Sequence, residues 1–233
     1  MSNPPTDHES AVLSWSGGKD ASLALYELQV ASVPVVELLT TVNMATDRSS
    51  MHGVRTALHR RQAAALGLSV RILELPPRPT NETYARTMRR AMDRYARDGI
   101  ETVAFADIAL TDVRAYRERR LRETPVVPRF PLWGRDTMDI ARSFINAGFE
   151  ATVVAVNGDE LDASFAGRSY DPAFLADLPA GVDPAGEHGE FHTFVTDGPP
   201  FDEPVEIAVG ERVSRTLGDT TMHYVDLRPT GPR

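Results

Sequence analysis

What most constrains this chain is a regular alternation of short apolar runs with stretches of helical period. Ala11 to Trp15 is an apolar run, followed by Ser-Gly-Gly and a helical stretch from Lys19 to about Gln29. Val33 to Val42 reads as a strand. His52 to Leu66 has apolar residues at helical spacing and stops at Gly67, a residue suited to a helix C-cap. Val70 to Leu75 is a further strand, broken by Pro76-Pro77-Arg78-Pro79. Thr80 or Asn81 caps a helix that places Tyr84, Met88, Ala91, Met92 and Tyr95 on one face and ends at Gly99. Ile100 to Ala106, Asp112 to Arg122 and Pro125 to Val127 continue as strand, helix and short strand. Short connections between alternating strands and helices are the sequence form of a parallel sheet wrapped by helices. The expected class is therefore α/β, with a Rossmann-like parallel sheet.

The pattern changes near residue 130. Asp136 to Ala147 is one more helix and Glu150 to Val156 one more strand. Loops rich in Gly, Pro and Asp then lead to strand-like stretches at Phe191 to Thr196, Pro204 to Val213 and Met222 to Leu227. We expect a parallel-sheet domain over 11–128 and a smaller α+β domain over 129–228. Residues 1–10 and 229–233 read as flexible ends, the Arg-Pro-Thr-Gly-Pro-Arg run beginning at Arg228. Charge follows the same division. Residues 1–150 carry 20 basic and 18 acidic side chains, whereas 151–233 carry 5 and 15, within a net charge of −8. That balance speaks against nucleic acid as a partner, because non-specific affinity for it comes from cationic neutralisation of phosphates. Cysteine is absent, which excludes disulfides, thiolate metal sites and Cys nucleophiles. No apolar run approaches the roughly 18 residues of a membrane span, and the polar start resembles no targeting peptide. A cytoplasmic protein that does not enter the membrane is expected.

The segment richest in chemistry is Ser14-Trp15-Ser16-Gly17-Gly18-Lys19-Asp20, between the first strand and the first helix. Two glycines allow close backbone approach to a ligand, and the helix presents free N–H groups and its positive end to the same space. Lys19, the only lysine beside 24 arginines, adds a compact ammonium. Such a loop suits phosphate. It is not a Walker A loop, since Leu13 stands where the first glycine would be.

Ser16 to Asp20 resembles the S-G-G-x-D-S signature of the PP-loop ATP pyrophosphatases, with Ala21 in place of the closing serine. Gly186-Glu187-His188-Gly189-Glu190-Phe191-His192-Thr193, with Thr196-Asp197-Gly198-Pro199, is similar to a signature of the diphthine–ammonia ligase family. His52 to Arg55, Phe105 to Ile108, Pro131 to Arg135, Gly167-Arg168 and Asp171 also match. The resemblance implies a HUP-type adenine-nucleotide sheet followed by a substrate-facing domain. It implies that ATP is cleaved between its α and β phosphates, that a carboxylate becomes an acyl-adenylate, and that ammonia displaces AMP. His188, Ala185 and His192 depart from the family pattern and bear on the identity of the acceptor.

On that basis ATP and Mg²⁺ are the expected cofactors. Ser14, Ser16, Gly17, Gly18, Lys19, Asp20, Ser22 and Asp107 are the candidate nucleotide-binding residues. Asp20 is the candidate Mg²⁺ ligand, since Mg²⁺ usually shares phosphate oxygens with one or two carboxylates. Lys19 and Asp20 are assigned to catalysis, as are Glu187 and Glu190, an acidic pair able to hold ammonium and take its proton. A structural turn network is the rival for that pair. His188-x-Glu190-x-His192 does not have zinc-protease spacing. His52 and His59, expected on one helix, read as capping or surface residues. Arg114, Arg117, Arg119, Arg120 and Arg122 read most simply as a solvated helix face, with an acidic docking partner as rival. The expected partners are ATP, ammonium and an acceptor that is either a protein or a small carboxylate; a homo-oligomer is compatible. A non-ligase ATP-binding regulator, or a PP-loop enzyme acting on another small molecule or tRNA, is the competing function.

Overall fold

The structure, a computed structural model, describes residues 10–49 and 52–231. The expected flexible ends therefore fall largely outside the described residues. Five strands form a parallel sheet: β1 (Ala11–Ser14), β2 (Val35–Asn43), β4 (Ser69–Leu75), β5 (Thr102–Ala104) and β6 (Val127–Arg129). Their pairings give the order β4-β2-β1-β5-β6. A two-residue strand, β3 (Arg48–Ser49), adds antiparallel to the end of β2. The connecting helices are α1 (Lys19–Val30), α2 (Thr56–Ala65), α3 (Asn81–Arg97) and α4 (Thr111–Leu121). Counting parallel strands alone, the order is that of a Rossmann sheet, which reverses direction between β1 and β5. Ligands of open α/β sheets bind in the crevice beyond the carboxyl ends at that reversal.

Neighbouring residues on each strand alternate faces, and both faces of this sheet are covered. Val12, Leu39 and Val103 pack with Met92, Tyr95 and Leu121 under α3 and α4. Their neighbours Leu13, Leu38 and Ala104 belong to the opposite, larger core. That core does not stop at the first sheet. It continues through α5 (Thr137–Asn146) to a second sheet of β7 (Glu150–Asn157), β8 (Phe191–Asp197), β9 (Ile207–Leu217) and β10 (Thr220–Pro229). This second sheet is antiparallel, in the order β8-β7-β10-β9. Phe144 of α5 stacks on Phe149 at 4.7 Å and meets Tyr170 edge-on, so aromatic packing joins the two layers. The other face of β7 and β8 buries Val154 and Phe194 against Leu58 of α2.

Local chemistry explains most boundaries. Thr80 Oγ1 accepts the Thr83 amide at the start of α3, and Asp136 Oδ1 accepts those of Met138 and Asp139 at the start of α5. Gly67, Gly99 and Gly148 end helices at positive φ. Several expectations are corrected. His52 is not helical: Gly53 at φ +65° closes a turn in which its amide bonds to Ser49 O, and α2 begins only at Thr56. β6 starts two residues later than expected and β9 starts at Ile207 instead of Pro204. The stretch expected as loop contains a 3-10 turn, Ala163–Phe165, and a short helix α6 (Pro172–Asp177), capped by Asp171 with proline in its first turn. Arg228 and Pro229, expected in a loose tail, pair with Ala208 and Ile207 in β10. Among the described residues no helix is long and apolar enough to cross a membrane.

Phe144 has no exposed surface and lies where α5 meets both layers. Phe144→Ala is expected to lower stability by about 3–5 kcal/mol, read from urea unfolding followed by circular dichroism.

Candidate active site

At the β1/β5 reversal the chain encloses a cavity of about 400 Å³. Ser14, Ser16, Asp20 and Ala21 line one side, and Ala106, Asp107 and Leu110 line the β5 side. Gly186 and Glu187 come from the segment leading into β8, and His192 and Thr193 from β8 itself. The first sheet therefore supplies the floor and the second domain part of the wall.

The loop before α1 is held from beneath by a buried amide. Gln62 of α2 is fully buried, and its Nε2 donates to Gly17 O at 2.9 Å and to Val195 O at 2.7 Å. Its Oε1 accepts from Trp15 Nε1 at 3.0 Å. Gly17 O also accepts the Val195 amide. Gly17 sits at φ +77°, and a Cβ there would lie 2.6 Å from Gln62 Oε1, so both backbone and space require glycine. Gly18, with no side-chain cap, precedes α1. Ser16 Oγ accepts its amide, and Thr193 Oγ1 accepts that of Lys19 at 3.0 Å. Of the next two amides, that of Asp20 meets its own carboxylate, and for that of Ala21 no acceptor is present among the described residues. Both residues line the cavity. An unpaired donor at a helix N-terminus fits a phosphate group, through hydrogen bonding and through the dipole.

The remaining candidates divide. Ser14, Ser16, Asp20, Asp107 and Glu187 line the cavity; Gly17, Gly18, Lys19, Ser22 and Glu190 do not. Lys19, expected from sequence as a compact ammonium facing phosphate, is buried instead. Its side chain is 3% exposed, its Nζ lies 2.6 Å from Asp20 Oδ1, and it sits 5.8 Å from the ring centres of Tyr170 and Phe191. Burial pushes the Asp20 carboxyl up, against the opposing pull of Lys19. Ser22 cannot supply the hydroxyl missing at Ala21, because it is fully buried with its Oγ unpartnered. Both Asp107 oxygens accept from Arg117, at 2.6 and 3.0 Å. Among the described residues no group of three or more His, Asp or Glu side chains is arranged to hold a metal ion. Asp20 is thus the carboxylate on the loop side of the cavity available to share Mg²⁺ with phosphate oxygens, the usual arrangement for that ion.

The two glutamates differ in kind. Glu187 Oε1 accepts the amides of Ile108, Ala109 and Leu110, at 3.0, 2.9 and 3.4 Å, capping the approach to α4 from across the cavity. Burial raises its pKa against the opposing effect of those amides. Glu190 is buried and turned into its own loop, its oxygens accepting the amides of Asp183 and His188.

Sequence reasoning missed three histidines and Gln62. His52 and His192 stack at 4.4 Å between ring centres and both line the cavity; His59 is fully buried beneath Gly17 with neither ring nitrogen hydrogen-bonded. Their spacing in sequence carries no sign of this meeting, although His52 and His192 both fall in segments singled out by motif.

A parallel sheet of this order, with a glycine-led helix at its reversal point, has the form of an α/β ligand-binding domain, and the family models that it matches are those of ATP-using enzymes of the PP-loop type. Family models carry the assignment further: residues 8–127 match the diphthamide synthase N-terminal domain and residues 136–224 the diphthamide synthase C-terminal domain. The chain belongs to the diphthamide synthase family. No protein of curated function matches it. Among solved structures it is similar to the U34-tRNA thiolase NcsA from Methanococcus maripaludis with its 4Fe–4S cluster. The identity is 15% and the TM-score 0.38, over 60% of this chain and 57% of that one, so the chain spans little more than half of that protein's length.

Gln62→Leu would leave Gly17 O with one partner fewer and strand Val195 O and Trp15 Nε1 in the core. A loss of about 3 kcal/mol is expected, read by urea unfolding. The histidines make a second prediction. Burial pushes His59 down to about 3 and His52 down to about 4. In the unfolded chain each binds a proton near the ordinary value of ~6.5. Between those limits the unfolded chain holds protons that the folded chain does not, so stability falls as pH drops from ~6.5 toward 4. His59→Leu should flatten that decline by up to ~1.4 kcal/mol per pH unit, measured by denaturation at stepped pH.

Proposed function

We propose that the chain is an ATP-dependent ligase that adenylates an acceptor carboxylate, releases pyrophosphate, and converts the acyl-adenylate to an amide with ammonia, releasing AMP. The observation that carries this reading is one cavity with two unlike poles. At one pole, the N-terminus of α1, where the Ala21 amide has no acceptor among the described residues, favours phosphate; at the other, Glu187 is presented from the segment before β8.

In the first half-reaction an acceptor carboxylate oxygen attacks the α-phosphorus and the α–β phosphoanhydride bond breaks. The departing pyrophosphate gathers charge that the α1 amides stabilise. Mg²⁺ would lower the charge of the triphosphate, with Asp20 as the protein carboxylate able to share it. In the second half-reaction ammonia attacks the acyl carbon, the acyl–phosphate bond breaks, and AMP leaves. Glu187 has one oxygen pinned by three amides and its Oε2 with no hydrogen bond among the described residues. A carboxylate so oriented can hold ammonium and accept its proton. Glu190 acts at one remove, shaping the 183–190 loop that presents Glu187. Lys19 is assigned an electrostatic role, setting the charge and orientation of Asp20. The proposed division of labour follows the two expected domains, nucleotide on 11–128 and nitrogen chemistry on 129–228.

Glu187→Gln keeps an acceptor for the three amides and removes the charge. ATP–pyrophosphate exchange with acceptor is expected to stay within about threefold of wild type. Amide formation should fall about 100-fold. The function itself is tested by adding wild-type or Asp20→Asn protein, with ATP, Mg²⁺ and isotopically labelled ammonium, to a cell extract and identifying labelled products by mass spectrometry. An amide seen only with ATP and wild-type protein supports the ligase. Identical labelled products from both proteins overturn it.

A further inference from the structure

A second cavity, of about 510 Å³, lies between α3 and α4, outside the nucleotide cleft. It falls within the ~300–1,000 Å³ common for small-molecule sites. Met88, Met92, Phe105 and Leu121 give it an apolar lining, and Met92 and Phe105 are among the buried residues of the core. The exposed charged side chains around it are Arg86, Arg89, Arg119 and Arg120 with two carboxylates, Glu82 and Glu123, which pair with Arg86 and Arg89.

Two features distinguish this groove from an ordinary gap between helices. The first is charge. Residues 81–122 carry ten arginines against seven carboxylates, in a chain whose net charge is −8. Arg89 is committed to Glu123 at 2.9 Å, but Arg119 and Arg120 have no carboxylate partner among the described residues. Arg120 instead lies over the Tyr116 ring. Uncommitted guanidinium groups beside an apolar lining match a ligand with a carboxylate and an apolar body. The second feature is continuity. Tyr84, Met88 and Arg117 line both the groove and the nucleotide cleft. Arg117 is held at this common wall by Asp107 and by packing over Phe105 at 4.3 Å. The wall is built from α3, α4 and the end of β5, whereas the phosphate-binding amides belong to α1. An acceptor in the groove would thus approach the cleft from a different element than the one holding phosphate.

We propose that the α3–α4 groove is the acceptor site, and that it takes a small carboxylic acid with an apolar body, admitted by the arginine rim and delivered past Arg117. The assignment rests on the ligase reading above and names the class of its acceptor. The arginine face of α4, which on sequence alone reads as solvated, becomes part of a binding site.

The test uses the nitrogen-labelled full chain in solution NMR. Butyrate, hexanoate and decanoate are titrated, each beside its neutral primary amide, and AMP-PNP with Mg²⁺ is titrated separately. The acids are expected to move amide resonances of α3 and α4, decanoate most strongly, with the neutral amides binding far more weakly. The double variant Arg119→Gln/Arg120→Gln should weaken decanoate roughly tenfold, while AMP-PNP still moves Ser16 to Asp20 as in wild type. Acid-induced shifts confined to the α1 loop, shifts no greater for acids than for amides, or no shifts from any acid would each overturn the proposal. If oligoglutamate moves α3 and α4 and none of the acids does, the occupant is an acidic polypeptide and the small-acid assignment falls. A wild-type chain that shows no AMP-PNP shifts strikes the nucleotide reading instead, whatever the acids do.

Discussion

The carboxamide of Gln62 is the contact on which the rest of the site depends. It lies with no exposed surface where the first sheet's loop, α2 and β8 meet, and it bonds to Trp15, Gly17 and Val195. A buried polar group with its partners satisfied specifies one arrangement, because any displacement strands several donors and acceptors at once. The clamp holds the loop from below, through the Gly17 carbonyl, and so leaves the upper side of the α1 N-terminus free. The second domain completes the support, with Thr193 taking the Lys19 amide. The Ala21 amide is left without an acceptor among the described residues.

Electrostatic arrangement follows from that geometry. Three histidines around the loop are kept neutral by burial, so they add no positive charge beside the phosphate pole at pH 7. Lys19, buried and paired with Asp20, modulates a carboxylate and does not reach into the cavity. The arginines gather instead on α3 and α4. An anionic cofactor and an anionic acceptor would thereby be drawn to different elements of one molecule, which is what bringing two like-charged reactants together requires.

Much of the architecture was legible in advance because it is governed by local chemistry. Apolar alternation, Thr80 and Asp136 as caps, and glycines at 67 and 99 as stops mark elements through interactions that span only a few residues. The glycine-led loop before α1 was legible for the same reason, since glycines and a helix start are contiguous. Errors clustered where a distant segment decided the outcome. His52 left the expected helix for a turn closed by Gly53 and Ser49, and it met His192, 140 positions further along the sequence. Glu187 and Glu190 look equivalent in the motif. One reaches across to the amides before α4 and the other folds back into its own loop. Ser22, a candidate nucleotide-binding residue, is turned into the core by its helix phase.

By itself, then, the sequence determined a parallel α/β sheet, a later part of different character, and a glycine-led loop at the first strand-to-helix turn. Those features are encoded by periodicity, capping and glycine placement, which act over one or two turns of chain. Only the tertiary structure decided which side chains face the cavity, that the lysine is buried, that three histidines meet beneath and beside the loop, and that α3 and α4 leave a groove sharing a wall with the cleft. These depend on packing between segments far apart in sequence, where burial and distance, not residue type, set what a charged or polar group can do.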